Sequence, residues 1–175
     1  MTAKGRSSLI LAVTVLLALV ACCAKGGAPL QAGAVAPDFR LSDLTGRTVF
    51  LNAELRRPIV LTFFATWCAP CREEIPVLIA FQRRLGDRAQ ILCVVADPEN
   101  IDQVRSTAAG LSIPYPMLLD EGQRTMRAYG VRALPATFLI GRDGRIVSRF
   151  GVLGESEAGM LYDAIERISG NVHGR

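Results

Sequence analysis

The sequence is poor in the residues that most enzymes use for acid–base and metal chemistry. It has one histidine, His173, third from the end. A catalytic histidine or a histidine-built metal site is therefore not expected. Seven Phe, three Tyr and one Trp are too few for an aromatic stacking surface. Charge of one sign is also scarce: 20 basic residues face 16 acidic ones, a formal +4. Without residues 1–21, which carry Lys4 and Arg6, the balance falls to 18 against 16. No basic cluster is long enough to track a phosphate backbone, so nucleic-acid binding is not expected. What the chain does have is apolar residues, at 50%, and length for one ordinary domain, at 175 residues. Such a composition excludes a long disordered chain. It also has five cysteines, and the chemistry is expected there.

Lys4 and Arg6 precede an apolar run, Leu9 to Ala21, broken only by Thr14. Thirteen residues are short of the about 20 needed to span a bilayer, and a charged start before such a run fits a secretory signal. Leu19-Val20-Ala21-Cys22 resembles a bacterial lipobox, in which Cys22 is acylated and becomes the new N-terminus. The alternative is an uncleaved N-terminal anchor with an incidental cysteine. Either reading places the domain outside the cytoplasmic membrane, on the periplasmic side, and tied to that membrane. Residues 23–36 are mostly small and aperiodic, so 22–36 reads as a flexible tether. The domain then spans 37–170 and the last five residues are a tail.

Within the domain, Phe39-Arg40-Leu41 and Thr48 to Leu51 flank the turn Asp43-Leu44-Thr45-Gly46-Arg47, a hairpin. Pro58 to Ala65 and Ile91 to Ala96 are continuous apolar runs, as strands buried on both faces require. Helical spacing runs from Cys71 to Leu85 and closes at Gly86. Asp97-Pro98 predicts a helix start, with Asp97 as N-cap and the helix reaching about Ala109. Met117 to Leu119, a short helix over 122–129, a hairpin through Asp143-Gly144 and a final helix from Glu155 to Ile168 complete the order. Strands alternating with helices and ending in a hairpin predict an α/β fold with a central mixed sheet flanked by helices.

Trp67-Cys68-Ala69-Pro70-Cys71 falls where a buried strand meets a helix. Two cysteines three apart at a helix start lie one turn apart, within reach of a disulfide. Cys68 comes first, where free backbone N–H groups and the helix dipole favour a thiolate. Cys71, inside the helix, is shielded and placed to attack Cys68 in a mixed disulfide. A zinc half-site lacks ligands, since Cys93 is the other cysteine of the domain. A permanent structural disulfide remains an alternative, although so short a loop stabilises little. Cys93, in Ile91-Leu92-Cys93-Val94-Val95, reads as a small hydrophobe. Asp97, Asp102, Asp120 and Asp143 read as turn or cap residues without a functional part.

The stretch Phe63-Phe64-Ala65-Thr66-Trp67-Cys68-Ala69-Pro70-Cys71-Arg72-Glu73-Glu74-Ile75-Pro76 resembles the active-site segment of the thioredoxin superfamily. Ala36-Pro37-Asp38-Phe39 and Val131-Arg132-Ala133-Leu134-Pro135-Ala136-Thr137 narrow it to the membrane-tethered TlpA/ResA-like thiol–disulfide oxidoreductases. The resemblance implies a thioredoxin-like fold with an N-terminal β-hairpin and an extra helix–strand insert over Asp97 to Tyr129. It implies a cis Pro135 opposite the disulfide, with Leu134 and Trp67 meeting the substrate. It also implies that Glu74 stands beneath the cysteines as a proton acceptor for Cys71. Thr62 occupies the position at which thioredoxin has a buried aspartate, and it cannot exchange a proton at neutral pH. The alternative for Glu74 is a surface ion pair with Arg72 or Arg132.

The function implied is a monomeric, membrane-anchored reductase of specific protein disulfides. Its clients would lie in cytochrome c maturation or oxidase assembly, and its electrons would come from a membrane-embedded thiol donor. The chemistry is that of the two thiols, with no cofactor and no metal. A thiol peroxidase shares the opening hairpin but uses an isolated attacking cysteine. A copper chaperone on the same scaffold would need a CxxxC and a further histidine.

Overall fold

The computed structural model describes residues 30–170. The lipobox with Cys22, the signal segment, most of the tether and the tail over 171–175 lie outside the described residues. Seven strands form one mixed sheet in the order β2-β1-β5-β4-β3-β6-β7. They are β1 (Arg40–Asp43), β2 (Thr48–Phe50), β3 (Ile59–Phe64), β4 (Gln90–Val95), β5 (Met117–Leu119), β6 (Ala136–Ile140) and β7 (Ile146–Phe150). The helices are α1 (Leu51–Glu54), α2 (Ala69–Leu85), α3 (Ile101–Gly110), α4 (Arg124–Ala128) and α5 (Glu155–Gly170).

β3 reads Ile-Val-Leu-Thr-Phe-Phe and every residue of it is buried. The reason is its place at the centre, parallel to β4 and antiparallel to β6. Val60 and Phe64 pack with Ile75, Leu78 and Phe81 of α2 and with Leu161 and Ile165 of α5 on one face. Leu61 and Phe63 pack with Val49, Leu51 and Tyr129 on the other. Phe63, Tyr129 and Phe138 meet in tilted and edge-on pairs with centroids 5.2–5.9 Å apart. The units β3–α2–β4 and β4–α3–β5 are both parallel crossovers, so β3, β4 and β5 all end at one edge of the sheet. Loops at the carboxyl ends of parallel strands are where open α/β sheets build their sites.

Four local expectations are corrected. Leu51 does not continue β2: it opens α1, fully buried, because β2 is an edge strand and the core lies beneath this corner. The helix expected from Asp97 breaks into a 3₁₀ turn, Pro98–Asn100, followed by α3, and the Asp97 side chain caps neither. The helix expected over 122–129 begins as the 3₁₀ turn Glu121–Gln123, where Gly122 and Gln123 take positive φ, and only then becomes α4. The tether ends early. The N–H of Gly33 donates to the Ile146 carbonyl at 2.8 Å, that of Ile146 to Ala34 at 2.9 Å, and that of Ala36 to Gly144 at 2.8 Å. The open start of the edge strand β7 holds these residues, since unpaired strand edges accept a further strand. In the turn that presents this edge, Gly144 sits at φ +73°, a conformation costly for any residue with a Cβ.

Candidate active site

The site forms where β3 runs out. Phe64 ends the strand, the N–H of Cys68 donates to the Ala65 carbonyl at 3.1 Å, and the chain turns into α2. Cys68 is the N-cap of α2, with Ala69 and Pro70 in its first turn. Proline suits this position because its missing N–H would have had no helical partner. The N–H of Cys71 points at the Cys68 sulfur, 3.2 Å away. Cys68 and Cys71 are joined in a disulfide, with Cα atoms 5.3 Å apart. A sulfur at a helix N-cap that accepts a backbone N–H is where a thiolate is stabilised once the bond is reduced. Both cysteines are buried, while Trp67 beside them is 68% exposed.

The Leu134–Pro135 bond is cis. Ala136 of β6 pairs with Phe63 of β3, so buried Pro135 stands alongside the end of β3 from which the cysteines project. Leu134 is half-buried at the same edge.

Glu74 lies one helical turn beyond Cys71 and is 2% exposed. It makes no surface pair; Arg72 instead donates from Nη1 to the Thr66 carbonyl at 2.6 Å. Burial pushes the Glu74 carboxyl up to about 7, and the Leu153 backbone and the Thr137 hydroxyl, which bond to it, offset this only in part. Its Oε1 has no hydrogen-bond partner among the described residues. The Thr137 hydroxyl lies 3.0 Å from that of Thr62, so hydroxyls run from the thioredoxin-aspartate position to the carboxylate. Glu74, Cys71, Thr62, Cys93 and Tyr115 all line one small cavity of about 10 Å³ behind the disulfide. Cys93 is free and buried. Burial, and then the charge of Glu74, push its thiol up, so it stays protonated at neutral pH. A broader surface cleft lies along Arg40, Ser42, Asp120 and Arg124 and includes neither cysteine of the disulfide.

The structure thus brings Cys68, Cys71 and Glu74 together, with Trp67, Leu134 and Pro135 around the same edge. Of the aspartates read as turn or cap residues, Asp120, wholly buried, does cap: it accepts from the N–H groups of Thr125 and Met126 at the start of α4. Asp97, 3% exposed, accepts from Thr66 rather than capping a helix.

The AhpC/TSA family profile matches residues 32–149. A thiol-disulfide oxidoreductase ResA of Bacillus thuringiensis (strain Al Hakam) is 30% identical over 141 residues, covering 80% of each chain. Among solved structures, one assigned as the thiol:disulfide interchange protein DsbE from Chlorobium tepidum superposes with a TM-score of 0.73 at 27% identity, over 82% of this chain and 100% of the other. The peroxidoxin BcpB from Mycobacterium tuberculosis shares the fold at a TM-score of 0.67 and 22% identity, over 82% of this chain and 98% of the other. The thioredoxin-like fold inferred from the sequence therefore stands, and the chain belongs to the AhpC/TSA family as a thiol–disulfide oxidoreductase of the ResA/DsbE type.

Proposed function

We propose that this oxidoreductase is exported, anchored to the membrane through acylated Cys22, and acts as a reductant of specific protein disulfides. Cys68 attacks the client disulfide, forming a mixed disulfide and releasing one client thiolate. Cys71 then attacks the Cys68 sulfur, which frees the second client thiolate and closes the disulfide seen here. Its proton passes to Glu74. Trp67, Leu134 and Pro135 form the edge against which the client lies. Cytochrome c maturation or oxidase assembly is the client class inferred from the resemblance, and a membrane-embedded thiol donor re-reduces the pair. The protein works as a monomer.

The observation that carries this reading is the buried carboxylate of Glu74, with one oxygen unpartnered, sharing a cavity with Cys71. A resolving thiol that must lose its proton out of water needs such a base. The second reading, a thiol peroxidase, rests on the fold shared with the peroxidoxin. One experiment separates them. The reduced protein is offered a disulfide-bonded protein or hydrogen peroxide, and oxidation of Cys68 and Cys71 is followed. Fast reoxidation by the protein disulfide and slow reoxidation by peroxide is expected; the reverse order would favour the peroxidase.

A further inference from the structure

We infer that Asp97, Thr66 and Arg72 form a clamp that holds the Cys68 loop in register with the helix N-terminus, making Asp97 a positioning residue for thiol–disulfide exchange. Phe64 of β3 pairs with Val95 of β4, and the N–H of Ala96 donates to the Phe64 carbonyl at 2.8 Å. Two residues beyond this last rung on each strand stand Thr66 and Asp97. The two parallel strands therefore deliver them side by side, although 31 residues separate them in sequence.

The Asp97 carboxylate accepts the Thr66 N–H at 3.1 Å and 3.0 Å, one contact to each oxygen, and the Thr66 hydroxyl donates to Oδ2. On the opposite side, Arg72 Nη1 donates to the Thr66 carbonyl at 2.6 Å. All three polar groups of Thr66 are thus bonded, two to a desolvated anion and one to a cation, the strong class of hydrogen bond. Thr66 is 2% exposed, so water does not replace a lost bond easily.

Thr66 is two residues before Cys68, and Arg72 four residues after it. The clamp therefore brackets the sulfur along the chain and ties the loop back to the first turn of α2. The Cys68 sulfur keeps its 3.2 Å contact with the Cys71 N–H only while that loop keeps its register. Asp97 touches neither sulfur in the interactions described; it acts through Thr66. The charged and titratable groups around the disulfide include Arg72 and Glu74 on α2, Asp97 after β4, Cys93 within β4, and Tyr115 ahead of β5.

This inference rests on Cys68 as the attacking cysteine, and the test separates the two claims. The reduced full-length protein is alkylated across a pH series, and Cys68 and Cys71 are read separately by mass spectrometry. Which cysteine reacts first tests the assignment of the nucleophile. Whether the Cys68 profile moves in variants tests the clamp. Asp97→Ala is expected to raise the Cys68 midpoint and, at pH values well below the parent midpoint, slow its alkylation about tenfold, the change in thiolate fraction there for a tenfold weaker acid. Asp97→Asn keeps the shape and an acceptor for the Thr66 N–H, and should recover the rate to within about twofold of the parent. Thr66→Val removes the hydroxyl bond alone and should move the profile the same way by less. A folded Asp97→Ala protein with the parent profile would overturn the clamp, as would equal effects of Ala and Asn, since Asn keeps the acceptor; a midpoint lowered by both would be the effect of the lost charge alone and would overturn it too. Should Asp97→Ala fail to fold, Thr66→Val decides: a raised midpoint supports the clamp and an unchanged one overturns it.

Discussion

Glu74 is a carboxyl that burial holds protonated up to about 7, one turn from a thiol that must lose a proton. As a base it works only when ionised. Resolution of the mixed disulfide should therefore speed up as pH rises through about 7, and Glu74→Gln should remove that rise and slow exchange by roughly 10²-fold. Stopped-flow exchange rates against pH check both; superimposable curves would leave Glu74 without a part in proton transfer. The same group makes a stability prediction with a defined sign. The folded state keeps the Glu74 proton to about 7, whereas the unfolded chain releases it near the ordinary 4.5. The folded state thus binds more protons in this window, and stability falls as pH climbs from about 4.5 to about 7. Glu74→Gln has no such loss, so denaturant unfolding should show it more stable than the parent above pH 7, by about 1–3 kcal/mol. A gap that does not widen with pH across the window would contradict this.

At the scale of elements, α4 depends on a residue outside it. α4 has five residues, too few to persist alone, and the Asp120 carboxylate accepts the N–H groups of Thr125 and Met126 at 3.0 Å and 2.8 Å. Asp120→Ala should lower the unfolding free energy by about 2 kcal/mol, measured by denaturant titration. A change below a few tenths would mean that water replaces the carboxylate. Asp120 was legible as a turn or cap residue, because the N–H groups it accepts lie five and six residues further along the chain. Asp97 was not legible as a support: it looks like a cap locally, and its partner lies 31 residues away through the β3–β4 register, which no short window contains. The long buried strands and α2 were legible because their apolar runs and helical spacing are local. The Cys68–Cys71 pair was legible because both its partners lie within one helical turn. Leu51 was misplaced in a strand because an isolated buried leucine fits a strand end and a short helix equally well. Residues 33–36 looked like tether because small residues carry no period, and only the edge of β7 shows what orders them.

On the scale of the whole molecule, the cysteines and the incoming chain lie at opposite ends of the sheet. Ile140 pairs with Ile59 at the start of β3, so the β6–β7 turn sits at the end remote from Cys68, and residues 33–36 are fastened beside that turn. With an anchor at Cys22, such an arrangement would turn the disulfide away from the membrane toward clients. Cys22→Ser should move the protein from the membrane to the soluble fraction with its exchange activity intact; retention in the membrane would remove the lipid anchor from the account. The proposed mechanism assigns attack to Cys68 and resolution to Cys71. It is tested most directly by expressing Cys71→Ser and Cys68→Ser variants in the native host and resolving covalent adducts on non-reducing gels. Cys71→Ser should accumulate mixed disulfides with client proteins, because nothing remains to attack the Cys68 sulfur, and Cys68→Ser should accumulate few or none. Equal trapping by both variants, or trapping by Cys68→Ser alone, would contradict the account.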